Sequence, residues 1–146
     1  MNPQPIIVER LFNAPISKIW KAITDKDEMK SWYFDLAEFK AEVGFKFQFL
    51  GGKDQETQYL HLCEITEVKV GKKLTYSWRY DGFVGNSYVT FELFKKGNKT
   101  LLKLTHEGIE TFDKNNPDFA KGNFVEGWTH IVNIGLKEYL EPTNNS

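Results

Sequence analysis

NFVEGWTHIVNIGLKEYL, residues 123–140, reads as one amphipathic helix and governs how everything before it must be arranged. With about 100° between successive residues, Phe124, Trp128, Ile131, Val132 and Tyr139 fall on one apolar arc. Gly135 lands near the middle of that arc and Gly127 at its edge, although glycine costs a helix interior roughly 1 kcal/mol relative to alanine. A residue without a side chain at the centre of a buried face needs a reason. Two are open: close approach of another element, or space kept for something that is not protein.

The residues upstream supply what the arc covers. From Gly44 the apolar period becomes two, with Phe45, Phe47 and Phe49 alternating against Lys46 and Gln48. YLHLCEITEV (59–68), LTYSWRY (74–80), SYVTFELF (87–94) and TLLKLTHEGI (100–109) continue as strands. Tyr76, Trp78 and Tyr80 share a face with Leu74, Phe91 pairs in parity with Val89 and Leu93, and His106 with Leu102 and Leu104. The turn signals GGKDQET, VGKK, DGFVGN and KKGNK join these runs, so five successive strands predict an antiparallel meander.

Nearer the N-terminus, IIVERLF (6–12) is a further strand. Pro15 opens a helix in which Ile16, Ile19, Trp20 and Ile23 repeat at i, i+3, i+4 and i+7. Asp25 and Glu28 have capping-box spacing and start a second short helix, KDEMKSWY. Asn116 and Pro117 mark the earliest start of the last helix, and EPTNNS is a frayed tail. A meander with one apolar face must cover it, and only the C-terminal helix is long enough. The expected fold is α+β: a curved six-stranded antiparallel sheet around a long C-terminal helix, with two short helices after strand 1. Residues 1–142 are expected to form a single domain and 143–146 a disordered tail.

Composition narrows the function classes. Of 146 residues, 22 are aromatic (four Trp, six Tyr, twelve Phe), enough to line a cavity as well as fill a core. The formal charge is −1 with no basic stripe, which argues against nucleic acid as a partner. One cysteine, Cys63, excludes an internal disulfide, and no signal peptide or membrane-spanning run is legible, so a soluble cytoplasmic protein is expected. NKT at 98–100 has the form of a glycosylation sequon but reads as a hairpin turn.

The order of elements and a series of short motifs resemble the START-like (SRPBCC, helix-grip) superfamily. Within it, they are most similar to the family of activators of the 90-kDa heat-shock chaperone ATPase. The motifs are R-x-F-x-A-P at Arg10–Pro15, IWKAITD at 19–25, the pair Trp32–Tyr33, CEITEV and KKLTYSW between 63 and 78, VTFEL at 89–93, THEGI at 105–109 and Gly127–Trp128. The resemblance implies a helix-grip fold and a space between helix and concave sheet. For function it implies binding of an apolar small molecule, stimulation of a chaperone ATPase, or small-molecule modification of the polyketide cyclase type. The eukaryotic co-chaperone of the family carries a separate N-terminal domain for which this chain shows no counterpart.

The candidate ligand-binding set follows from strand parity and the helical wheel: Phe45, Phe47, Phe49, Tyr76, Trp78, Phe91, Trp128 and Ile131, with Trp20, Trp32, His106 and Gly135. His106 points inward and is a candidate hydrogen-bonding group or proton carrier, or else a histidine bonded to a backbone group. His61 and Cys63, at i and i+2, are too few for a zinc site, and His130 is placed on the solvated side of the helix. No nucleophile motif, phosphate loop or dinucleotide fingerprint is present, so neither a catalytic constellation nor a cofactor is expected. The connection 107–119 and DGFVGN (81–86) are candidate lids. The preferred expectation is reversible binding of an apolar or aromatic small molecule; a chaperone remains a possible partner, and monomer and homodimer both stay open.

Overall fold

The computed structural model describes residues 4–33, 36–52 and 58–141. The predicted turn residues 53–57 and the tail 142–146 lie outside the described residues. The elements run β1 (Ile6–Phe12), α1 (Ile16–Thr24), α2 (Lys26–Trp32), β2 (Lys46–Gly52), β3 (Gln58–Lys69), β4 (Lys73–Tyr80), β5 (Ser87–Lys96) and β6 (Lys99–Glu107). Two 3-10 turns, Ile109–Thr111 and Pro117–Phe119, lead into α3 (Lys121–His130). The helix continues through a π-helical segment, Ile131–Leu136, and ends in a last α turn, α4 (Lys137–Leu140).

The strands form one six-stranded antiparallel sheet, ordered β1-β6-β5-β4-β3-β2 and curved around the C-terminal helix. Alternation of buried and exposed residues sets its register. Ile6, Val8 and Phe12, then Leu102, Leu104 and His106, face the concave side, and Ile6 lies opposite His106. Between Ile65 and Glu67 the β3–β4 register shifts, a bulge that bends the ribbon where it must curl. The convex face carries cross-strand charges of alternating sign, Glu9–Lys103–Glu92–Lys73, in one row. Lys73 reaches on to Glu67 at 3.1 Å.

The two short helices seal one end of the concavity. Asp25 caps α2 by accepting from the Asp27 backbone N–H at 2.9 Å, a simple cap in place of the reciprocal box. Glu28 is free of that role and accepts instead from Tyr139 Oη at 2.8 Å, tying α2 to the end of the last helix. The Asn116 cap serves only the short Pro117–Phe119 turn, and α3 begins at Lys121.

The C-terminal helix departs from the expected wheel. Its buried residues are Phe124, Trp128, Val132, Leu136 and Leu140, a strict i+4 row, while Ile131 and Tyr139 are half-buried. On a pure α-helix such a row drifts about 40° per step. The wider π segment takes up the drift and keeps the row against the sheet. Gly135 sits inside that segment, where a Cβ would stand 3.1 Å from the Trp32 carbonyl oxygen. Its reason is close approach of α2. Gly127, by contrast, has nothing within 4 Å of where a Cβ would be.

The two glycines therefore respond oppositely to substitution. Gly135→Leu is expected to lower stability by about 1–3 kcal/mol through overpacking against backbone. Gly127→Ala is expected to raise it by up to about 1 kcal/mol through helix propensity. Chemical unfolding at matched conditions separates the two; equal effects would contradict the contact at Trp32.

Candidate functional site

The concave face is divided into a packed half and an open half. In the packed half, Tyr33 follows α2 and lies over the strands as a plug. Its ring stacks on Trp32 at 5.0 Å and on Trp128 at 6.1 Å, and its hydroxyl meets Tyr76 Oη at 2.6 Å. Phe39 packs edge-on against Phe47 at 5.1 Å, and Phe47 against Tyr76 at 5.1 Å. Burial above all drives both tyrosine pKa values well above the usual phenol range, so the pair stays protonated. Cys63 is buried beside them, and desolvation raises its thiol pKa as well. It packs as a small apolar side chain.

The open half is a cleft of about 610 Å³ between the sheet and the first half of the C-terminal helix. Tyr59 and His61 of β3 with Trp78 and Tyr80 of β4 line it on the sheet side. Phe124, Gly127, Trp128 and Ile131 line it on the helix side, and Asp118 and Phe119 come from the 3-10 turn. Asn123, Glu126 and His130 complete the helix side and are exposed. A volume of this size lies within the range of small-molecule sites, roughly 300–1,000 Å³. The aromatic walls are interlocked: Tyr80 stacks on Phe119 at 4.6 Å, and Trp78 meets Trp128 at 5.3 Å.

A string of hydrogen bonds fastens the helix to the sheet behind this cleft. Trp128 Nε1 donates to His106 Nδ1 at 2.8 Å. That bond makes Nδ1 an acceptor, so the ring proton sits on Nε2 and faces Ser87 Oγ at 2.7 Å. Ser87 in turn donates to the Trp78 carbonyl at 2.8 Å. Every member is satisfied only when His106 is neutral, and burial lowers its pKa to about 3. His106 thus bonds two side chains, neither of them a backbone group nor a ligand.

His61 is the histidine that borders the cleft. Its Nδ1 lies 2.9 Å from the Tyr59 carbonyl, which only accepts, so Nδ1 carries the proton. Its ring stacks on Phe49 at 4.5 Å. Burial lowers its pKa to about 4 against the opposing pull of backbone bonds to Tyr59 and Phe49. Among the described residues no cluster of three or more histidine, cysteine or acidic side chains is placed to hold a metal ion.

Of the residues expected at the site, Trp78, Trp128 and Ile131 border the cleft. Phe47, Phe49, Tyr76, Phe91, Trp32 and His106 are core. Phe45 and Trp20 are half-buried and pack on that core, and Gly135 meets Trp32. His130, expected in solvent, is exposed but borders the cleft. Sequence reasoning missed Tyr59, Asp118, Phe119, Phe124 and Gly127 as neighbours of one space. Parity along β3 and the i−4 and i−1 positions from Trp128 were the signals that pointed there.

Residues 13–141 match the family described as Activator of Hsp90 ATPase homolog 1-like protein. The chain belongs to that family. It is 23% identical over 141 residues to the Hsp90 co-chaperone AHA1 of Saccharomyces cerevisiae, across 91% of this chain but 37% of the yeast protein. The chain thus spans little more than a third of that relative's length. Protein MLL2253 from Mesorhizobium loti superposes with a TM-score of 0.76 at 25% identity, covering 97% of this chain and 99% of the other. The Aha1 dimer from Colwellia psychrerythraea superposes at 0.72 with 19% identity, over 98% and 100% of the two chains, a likeness of fold. No helix among the described residues is long and apolar enough to cross a membrane.

The two buried histidines make the stability of the protein sensitive to acid. Unfolded, each titrates near pH 6.5; folded, His61 does so near 4 and His106 near 3. Between those limits the unfolded chain binds more protons, so stability is complete above about pH 6.5 and falls as pH falls. The expected slope is on the order of 1.4 kcal/mol per pH unit for each histidine. Urea unfolding across this window checks it, and His61→Gln is expected to remove about half of the slope.

Proposed function

We propose that the cleft binds an apolar or aromatic small molecule reversibly. The observation that carries this reading is the open space beside Gly127, bordered by two tryptophans, two tyrosines and two phenylalanines. Burial of ring surface at roughly 25 cal/mol per Å² supplies the affinity. The 3-10 turn bearing Asp118 and Phe119 is the element best placed to adjust to a ligand, since it ends the irregular connection 112–116 that leads from the sheet to α3. Enzymatic turnover finds no support in His106, because both its ring nitrogens are engaged within the core.

A neutral apolar dye such as N-phenylnaphthylamine is expected to bind saturably. Gly127→Leu projects a side chain into the space and is expected to weaken binding by about tenfold or more, with the melting temperature unchanged or raised. Equal dye affinity in both proteins would overturn the assignment of the cleft.

A second reading, partner binding with a chaperone, has one structural observation in its favour. Leu11, Leu101 and Phe94 lie directly opposite one another across β1, β6 and β5 on the convex face. Leu11 and Phe94 are exposed there. Titration into a chaperone ATPase assay tests it: stimulation lost on Leu11→Glu supports this face, and an unchanged ATPase rate excludes the reading.

A further inference from the structure

The two edges of the sheet, β1 and β2, are built differently. β2 begins with a lysine and ends in two glycines, features that discourage pairing with another chain. β1 runs for seven residues, Ile-Ile-Val-Glu-Arg-Leu-Phe, with no lysine, proline or glycine among them. All its pairs with β6 keep one register, so no bulge turns this edge aside. Apart from that pairing, no hydrogen bond reaches the backbone of Ile6–Phe12 among the described residues.

The strand is nevertheless held in place. At one flank Lys121 Nζ donates to the Gln4 carbonyl at 3.3 Å, and at the other the Asn13 N–H donates to Glu141 Oε2 at 3.0 Å. Between them Arg10 Nη1 donates to Asn133 Oδ1 at 3.2 Å. An edge fixed in extended form before a partner arrives has little ordering left to lose.

The rows that cross the sheet specify what the next strand would carry. Glu9, Lys103, Glu92 and Lys73 alternate in sign across the convex face, and Glu9 ends that row at the open edge. Ile7 and Leu11 stand on either side of it, half exposed. On the concave side Arg10 bonds the neutral Asn133 amide; its Nε has no partner, and no carboxylate pairs with it among the described residues. The complement is a basic residue opposite Glu9, an acidic one opposite Arg10, and apolar residues opposite Ile7 and Leu11. A second copy of β1 does not supply it. Antiparallel pairing over the full strand would set Glu9 against Glu9, and like charges directly opposite are destabilising.

We propose that β1 is a docking edge for an extended segment of another protein, which extends the sheet by one strand and carries a basic residue between apolar ones. Main-chain hydrogen bonds hold the segment, and the side chains at alternate positions select it. The edge is separate from the cleft, and its docking role does not depend on the cleft binding anything.

The probe is the capped heptapeptide Thr-Val-Glu-Lys-Thr-Val-Thr, titrated at low salt into the isotope-labelled protein and followed by NMR. Saturable amide shifts are expected in Ile6–Phe12 and in the β6 residues paired with them. A peptide with glutamate in place of the central lysine is expected to bind about tenfold more weakly. Glu9→Gln is expected to bring the two peptides to equal affinity. Methylating the peptide amides at alternate residues is expected to abolish binding in one phase and spare it in the other. Equal affinity of the two peptides for the wild type, shifts centred away from β1, equal binding of both methylated forms, or no saturable binding at millimolar peptide overturns the proposal. A dimer in sedimentation that the peptide dissociates also overturns it, because the edge then belongs to a second copy.

Discussion

A row of large apolar side chains at every fourth position cannot stay on one side of a pure α-helix, and the enclosure of this sheet depends on such a row staying in line. Phe124, Trp128, Val132, Leu136 and Leu140 do so because the helix widens into a π segment between Ile131 and Leu136. The widening has consequences on both sides. Asn133 within it accepts from Arg10 Nη1 of β1 at 3.2 Å, which joins the segment to the sheet edge. Gly135 within it lets the Trp32 carbonyl approach. Lys18 of α1 then donates to the Leu140 carbonyl at 3.3 Å and closes the C-terminal end. The helix is thus held firmly over its second half, while its first half borders the cleft.

The polar interior follows the same division. The Trp128–His106–Ser87–Trp78 string lies at the junction of the two halves and is satisfied throughout. A buried polar network with every donor matched is directional in a way that apolar packing is not. It fixes the rotation of the helix about its axis, and with it which residues of α3 face the open space. The Tyr33–Tyr76 contact does the corresponding work for α2. One consequence is that both indole N–H groups near the cleft are engaged within the structure, so Trp78 and Trp128 present carbon to it.

Most of the fold was legible in the sequence because strand alternation is a local signal. Phe47, Phe49, Tyr76, Trp78, Phe91 and His106 all face inward as their parity requires. The site was less legible, because facing inward does not distinguish a side chain that packs on protein from one that borders a space. That difference is set by α2 and Tyr33, which cover one half of the sheet and leave the other open. Of the two reasons left open for Gly135, close approach holds, and the open space falls to Gly127 instead, because the wheel assumed uniform α geometry and the π segment breaks it. His61, set aside for want of metal-ligand partners, borders the cleft because the register of β3 on β4 sets it opposite Tyr80, one of the aromatic walls.

The pairing of β1 with β6 orders events in time. Ile6 lies opposite His106, about a hundred residues later, and is joined to it by no shorter path through the sheet. During synthesis β1 leaves the ribosome ahead of the other five strands, and its partner β6 follows all of them. The hairpins β2–β3–β4–β5–β6 close over short turns and form ahead of it, since loop closure costs less for near neighbours. β1 is therefore expected to be among the last strands to dock. Until it does, one edge of the sheet stands open, and the apolar side chains Ile6, Val8 and Phe12 remain uncovered during the interval when a nascent chain is most prone to aggregate.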